Sequence, residues 1–203
     1  MKGAGARDQG TGGRRLVPGP WSLLPLLLLP LLAAAAAASR FPVAPPPATT
    51  GGFGEPTCLG CHDGNALNDA AGALELRGIP EAGYEPGRTY QVTIALRRPG
   101  MQRGGFEIAA RWAAGADSGR QAGRWETSGP RIATTTQRDV VFVHHTESGT
   151  EPAADSASWT AAWTAPETAG AVVFHVAANA ADGGGSAFDD YIYAKGFVRA
   201  GRR

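Results

Sequence analysis

Six short segments between residues 90 and 198 carry apolar side chains at strand spacing: 90–96, 106–110, 139–145, 159–163, 172–178 and 191–198. In the first of them, Tyr90, Val92 and Ile94 alternate with polar or small residues, the period-two pattern of a half-buried strand. Turn-forming Gly, Pro and Thr residues separate the segments, and no amphipathic helical pattern follows residue 40. This pattern predicts an all-β sandwich around one core. Residues 113–138, rich in Gly, Arg and Thr, are expected to form a long surface loop with at most one irregular strand.

The only two cysteines of the chain lie two residues apart and are followed directly by a histidine, in Cys58-Leu59-Gly60-Cys61-His62. This is the attachment pattern of c-type haem. Each thiol adds to one haem vinyl group, and the imidazole beside the second thiol is held where it can ligate the iron. The sequence therefore predicts one covalent haem c, bound by Cys58 and Cys61, with His62 as the proximal iron ligand.

The same two cysteines allow other interpretations. A CxxC pair also occurs in redox dithiols and in zinc sites. No βαβ pattern surrounds this pair, and no further cysteine exists to complete a four-ligand zinc site. A disulfide across two residues is short and usually strained. A disulfide or free dithiol at Cys58 and Cys61 nevertheless stays open.

Residues 1–39 are predicted to be a cleaved secretory signal peptide. Arg14 and Arg15 precede the apolar run 23–38, which ends in small residues and offers an A-x-A cleavage site. The alternative is a transmembrane anchor, but the run is shorter than the roughly 20 residues of a span and contains two prolines. Cleavage would leave no stable membrane span and a periplasmic, cell-surface or secreted protein. Residues 40–54, rich in Pro, Gly and Thr, are expected to form an extended, mobile linker.

The charge of the chain argues against one class of partner. The whole sequence has 19 basic and 18 acidic side chains. Five of the basic ones and one of the acidic ones precede residue 41, so residues 41–203 carry 14 and 17, a net charge of −3. No nucleic-acid partner is expected for a mildly acidic protein of this kind.

Several motifs together match one family: Thr57–His62, Gly83–Gly87 before Tyr90, Gly105–Ile108, His145-Thr146, Trp159–Pro166, Val173–Gly183 and Asp190–Tyr193. Through them the chain, over residues 50–198, resembles the bacterial choice-of-anchor V domains, which are related to eukaryotic Reeler (reelin-like) domains. The resemblance implies an exported Reeler-like, immunoglobulin-like β-sandwich at residues 55–200 with an N-terminal cytochrome c-type motif. Many relatives carry a C-terminal anchoring segment. This chain ends without a hydrophobic tail, so a soluble product is expected.

An electron-transfer haem usually has a second axial ligand, His or Met, opposite the first. The candidates are His144, His145, His175 and Met101. His145 is the first choice as the sixth ligand, because it ends an apolar strand and matches the His-Thr pair of the family. The alternative for His145 is a turn histidine that is hydrogen-bonded to backbone. His175 lies inside a strand and is expected to be packed, whereas Met101 follows a Pro-Gly turn and would raise the redox potential.

These features predict an exported monohaem c-type cytochrome-like protein that is not an enzyme and exchanges one electron with a docked redox partner protein. Two alternatives stay open. One is a non-enzymatic extracellular binding or surface module in which the cysteines form a disulfide. The other is a five-coordinate haem enzyme or sensor, in which Arg103 or Arg138 would serve as a distal arginine.

Overall fold

The computed structural model describes residues 44–202. The predicted signal peptide and the first residues of the predicted linker lie outside this range. The described residues form two short 3₁₀ turns, Cys58–Gly60 and Glu147–Gly149, and ten strands. The strands are β1 (Asp63–Gly64), β2 (Ala73–Arg77), β3 (Thr89–Arg97), β4 (Arg103–Trp112), β5 (Arg124–Glu126), β6 (Ile132–Gln137), β7 (Val140–His145), β8 (Ser156–Thr164), β9 (Ala171–Ala181) and β10 (Phe188–Ala200).

The ten strands are arranged in two sheets. The larger sheet has the order β1-β10-β9-β4-β7-β6, and the smaller has the order β2-β3-β8-β5. All pairs are antiparallel except β1 with β10. The inner faces of both sheets contribute to one hydrophobic core. The predicted all-β sandwich is therefore confirmed by the strand pairing and the shared core.

Aromatic side chains join the two sheets across this core. Trp163 of β8 is fully buried and meets Phe174 of β9 edge to face, with ring centroids 4.8 Å apart. Its indole Nε1 donates a hydrogen bond to the carbonyl oxygen of Ala122 at 3.0 Å, so burial leaves no unpaired indole donor. Trp159 stacks on Phe106 of the opposite sheet with centroids 4.6 Å apart. These contacts fix the spacing of the sheets.

The sequence prediction was wrong for residues 113–138. That stretch contains β5 and β6 rather than a single irregular strand. β5 has only three residues and is recognisable by one buried side chain, Trp125. β6 is an edge strand whose central residues are threonines, and it is held by backbone pairing with β7. Because an edge strand needs few apolar side chains, its hydrophobic pattern is weak although threonine favours strands.

The outer face of the larger sheet is covered by residues 44–57, which we call the N-terminal strap. Glu107 and Arg111 of β4 point to this face and are buried. The backbone N–H of Thr49 donates to Glu107 Oε2 at 2.6 Å, and Arg111 donates to both carboxylate oxygens of Glu55 at 2.6 and 2.7 Å. The described part of the predicted linker is thus folded onto the sheet, because the buried charges on β4 require partners that the strap supplies.

No helix found in residues 44–202 has both the length and the apolar character that crossing a membrane requires.

Candidate haem-attachment site

The Cys58–His62 motif is wound into a tight turn at the end of the strap. The Thr57 hydroxyl accepts a hydrogen bond from the N–H of Leu59 at 3.2 Å and so caps the 3₁₀ turn. The N–H groups of Cys61 and His62 both donate to the carbonyl oxygen of Cys58, at 3.1 and 2.9 Å. The turn therefore keeps the two thiols and the imidazole within a single short loop.

His62 is held by two residues of the larger sheet. Its Nδ1 lies 2.6 Å from Oδ2 of Asp190 on β10, and Asn179 Nδ2 on β9 lies 3.0 Å from the same carboxylate oxygen. The His62 side chain is 29% exposed, whereas that of Asp190 is 1% exposed. Nε2 of His62 makes no hydrogen bond with residues 44–202. The second ring nitrogen of the predicted iron ligand is therefore available.

The strand register explains why Asp190 and Asn179 meet. Asn179 pairs with Ile192, two residues after Asp190, so the two side chains are diagonal neighbours on the outer face. One oxygen of each, Asp190 Oδ1 and Asn179 Oδ1, is buried and has no partner among the described residues. β1 follows His62 at once and pairs with β10 through Asp63 and Phe188, which holds the motif against this strand.

The two cysteines differ in their surroundings. Both are free thiols; Cys58 is half-buried and Cys61 is exposed. Desolvation raises the pKa of the Cys58 thiol to about 12, and the nearby charge of Glu107 adds to the effect. Because the thiolate is the reactive form of cysteine, Cys58 is a weak nucleophile once the domain is folded.

His145, the predicted sixth ligand, lies at the end of β7 beside the backbone of β4. Its Nδ1 is 2.9 Å from the amide nitrogen of Phe106 and 3.1 Å from the carbonyl oxygen of that residue. Only one of these two contacts can be a hydrogen bond in a given tautomer. In either tautomer the hydrogen bond uses Nδ1 and does not involve Nε2. Burial lowers the pKa of His145, with smaller contributions from the charges of His144 and His62.

The fold brings His62 and His145 to the same end of the larger sheet. Asn179, 3.1 Å from His62 Nδ1, is paired with Gly105 of β4. A Cβ atom added to Gly105 would lie 2.7 Å from the His145 ring, so this glycine permits the ring to pack against the strand. Two residues on paired strands thus lie between histidines that are far apart in sequence.

The other candidate ligands are less available. His144 uses both ring nitrogens, Nδ1 near the His145 carbonyl oxygen at 2.8 Å and Nε2 near Thr135 Oγ1 at 3.0 Å. His175 lies beneath the strap, edge to face with Phe53 at 5.3 Å, and burial lowers its pKa. Met101 is buried in the core cluster. In residues 44–202, no group of three or more His, Cys, Asp or Glu side chains is arranged to hold a metal ion.

Sequence reasoning missed the residues that support the motif. Asp190 and Asn179 belong to motifs that carry the family resemblance, but the sequence did not connect them with His62. Glu107 and Arg111 were also missed, although a visible signal existed. They lie four residues apart in a strand that is otherwise mostly apolar. Because side chains alternate between the two faces of a strand, both charges lie on the same face, and that face is covered.

The comparisons with known proteins gave structural similarity only. No protein-family model and no curated protein matches the sequence. One crystal structure of the human F-spondin reeler domain (fragment 1) has 20% sequence identity and a TM-score of 0.42, covering 66% of this chain and 94% of that chain. A second (fragment 2) has 18% identity and a TM-score of 0.43, covering 68% and 95%. The major pilin SpaD from Corynebacterium diphtheriae has 14% identity and a TM-score of 0.38, covering 63% and 35%.

Proposed function

We propose that this domain carries one haem c bound covalently by Cys58 and Cys61, with His62 as the proximal iron ligand, in an exported protein that exchanges single electrons with a protein partner. One observation carries the proposal. His62 is held through Nδ1 by a buried carboxylate, which leaves Nε2 to bind iron, and the same short segment carries two free thiols.

The donor set fits this group. A histidine that ligates a metal typically donates its other ring N–H to a carboxylate, a backbone carbonyl or water, which fixes the tautomer and the ring orientation. His62 Nδ1 and Asp190 Oδ2 lie 2.6 Å apart, as this arrangement requires. A bound haem would supply an iron that cycles between ferrous and ferric states. The chain would supply the two attaching thiols, an imidazole nitrogen for the iron and the fixed orientation of that nitrogen.

His145 remains the proposed sixth ligand. Its support is the hydrogen bond of Nδ1 to the β4 backbone, which leaves Nε2 as the only ring nitrogen that can ligate. A further support is that the ring packs beside Gly105, which pairs with Asn179 next to His62. In the five-coordinate alternative, His145 Nε2 does not ligate the iron.

A second candidate function is a non-enzymatic extracellular binding module in which Cys58 and Cys61 form a disulfide. The observation that favours it is a cleft of about 500 Å³ beside the strap. Phe53 and the exposed Arg138 contribute to its lining, which offers an aromatic ring and a cationic group to a ligand. Neither His62 nor His145 lines this cleft.

The test is expression of the exported chain together with a haem c maturation system. We expect covalent haem on a denaturing gel and a low-spin six-coordinate spectrum in both redox states. The Cys58→Ser/Cys61→Ser double variant serves as the control and should lose covalent haem. An unmodified protein with no covalent haem would contradict the proposal and favour the binding module.

The sixth ligand is tested in the same material. His145→Ala should convert the spectrum to high spin, because the distal nitrogen is lost. A spectrum that stays low-spin would assign the ligand to His144, His175 or Met101 instead. A high-spin spectrum in the unmodified protein would favour the haem enzyme or sensor.

A further inference from the structure

We infer that Asp190, with Asn179, is a positioning residue for His62: its carboxylate accepts the Nδ1 proton, fixes Nε2 as the ligating atom and lowers the midpoint potential of the bound iron. This inference rests on the proposed haem function. It concerns residues to which the motif itself assigns no role.

The contact distances require a proton between His62 Nδ1 and Asp190 Oδ2, and we assign it to Nδ1. His62 Nδ1 and Asp190 Oδ2 are 2.6 Å apart, too close for two unprotonated atoms, whose lone pairs would repel. A proton on Nδ1 donated to the carboxylate satisfies both atoms. Asn179 Nδ2 then donates to the same oxygen at 3.0 Å. The neutral imidazole therefore carries its proton on Nδ1 and presents the lone pair of Nε2.

The burial of Asp190 makes this hydrogen bond electrostatically strong. The side chain is 1% exposed, and its hydrogen-bond partners among residues 44–202 are His62, Asn179 and, through its backbone carbonyl oxygen, Asn65. No Lys or Arg of the described residues forms an ion pair with it. Burying a carboxylate without a basic partner costs desolvation free energy, and positive charge at or beyond His62 offsets that cost. Ferric iron carries more positive charge than ferrous iron, so the carboxylate favours the oxidised state.

Backbone contacts on both sides of His62 keep the pair aligned. Before it, the 3₁₀ turn holds the His62 N–H on the Cys58 carbonyl oxygen at 2.9 Å. After it, the N–H of Asp63 donates to the carbonyl oxygen of Ala187 at 3.2 Å and begins the pairing with β10. The imidazole therefore has little freedom to turn away from Asp190.

The experiment compares the midpoint potentials of haem-loaded Asp190→Asn and Asp189→Asn. Asparagine at 190 keeps an oxygen facing His62, places its amide where Oδ1 now has no partner, and removes the charge. Asp189 is the matched control, since it is the adjacent aspartate but is exposed. A tenfold loss of preference for the ferric state would raise the potential of Asp190→Asn by about 59 mV for one electron. Asp189→Asn should change it much less.

The outcomes separate this inference from the proposed function. Haem in all three proteins with equal potentials for the two variants would overturn the inference alone. Absence of covalent haem from the unmodified protein would overturn the proposed function and the inference with it.

A second readout needs no haem. In the Cys58→Ser/Cys61→Ser protein near pH 8, long-range nitrogen–proton spectra of the histidine rings should show the His62 proton on Nδ1. Asp190→Ala in that background should abolish this preference. A His62 proton on Nε2 in the presence of Asp190 would overturn the inference.

Discussion

At the scale of single residues, the most unusual group is the carboxylate of Glu107. The side chain is fully buried on the outer face of β4, and Oε1 has no partner among the described residues. Thr49 donates both its N–H and its hydroxyl to Oε2. Desolvation raises the pKa of Glu107 to about 7, and the hydrogen bonds from Thr49 only partly offset it.

This raised pKa predicts a pH-dependent stability. The folded state binds the Glu107 proton more tightly than the unfolded state, whose pKa is near the ordinary value of 4.5. The stabilising effect is therefore complete below pH 4.5 and is lost as the pH rises through about 7. Glu107→Gln, which keeps an acceptor for Thr49, should remove this dependence. The measurement is the free energy of chemical unfolding at pH 5 and at pH 8. Between these two pH values, the free energy of unfolding of the variant should rise by on the order of 3 kcal/mol relative to that of the unmodified protein.

The comparison needs a surface control. Glu151 is exposed, and Glu151→Gln should follow the pH profile of the unmodified protein. Parallel profiles for Glu107→Gln and the unmodified protein would mean that Glu107 ionises in the fold as it does in the unfolded chain.

At the scale of elements, the strap is held to the sheet by a buried ion pair. The side chains of Arg111 and Glu55 are 4% and 14% exposed, and Thr50 lies between them as donor to Glu55 and acceptor from Arg111. Arg111 also lies over the ring of Phe53, 4.8 Å from its centroid. Strap and sheet are thus joined by charge, hydrogen bonds and an aromatic ring at one place.

Breaking this pair from the strap side should be costly. Glu55→Ala leaves the Arg111 guanidinium buried without its carboxylate, a change that costs about 3–5 kcal/mol in comparable buried pairs. We expect a lower free energy of unfolding and faster proteolysis within residues 51–57. The matched control is Glu75→Ala, which removes a carboxylate from the exposed pair with Arg77 and should cost about 1 kcal/mol or less. Equal losses for the two variants would contradict a structural role for the strap pair.

The same element scale shows what the sequence could predict. Strands with a regular apolar face, such as β3 and β9, were recognisable because alternation identifies a half-buried strand. The strap was interpreted as a mobile linker because its composition is that of one. Its order comes from Glu107 and Arg111, more than fifty residues away, and pairings over such distances leave no local pattern.

The candidate site likewise contains residues that the sequence could predict and residues that it could not. Cys58, Cys61 and His62 were predicted because the haem motif is contiguous. The support from Asp190 and Asn179 depends on the register between β9 and β10, and a shift of one residue would turn Asn179 to the core. Spacing alone does not encode that register.

Across the whole described domain, the outer faces of the two sheets differ in composition and burial. The smaller sheet exposes polar side chains, including the cross-strand threonine pairs Thr89–Thr164 and Thr93–Thr160. The larger sheet has buried apolar residues on its outer face as well, with Ala109, Val140 and Phe142 grouped against Ala48 of the strap. The described domain is therefore a sandwich with a partial third layer.

This arrangement predicts the result of truncation. A chain that starts at Thr57 loses all of the strap except that residue, whereas one that starts at Ala44 keeps it. We expect the shorter chain to be less stable by at least about 3 kcal/mol, since Arg111 and Glu107 lose their partners. It should also bind a hydrophobic dye through the uncovered Phe142 and Val140. Equal unfolding midpoints and equal dye binding for the two chains would show that the third layer contributes nothing.

The Cys58–His62 motif precedes every described strand, and this position determines when the two thiols emerge relative to the strands. In a chain exported with its N-terminus leading, Cys58 and Cys61 enter the outer compartment before β9 and β10 have followed. The environment that desolvates the Cys58 thiol does not yet exist at that moment. Under the proposed export, this order would leave an interval in which both thiols are reactive, and folding of the sandwich would close it. In the proposed haem protein, attachment of the haem would therefore precede folding of the sandwich.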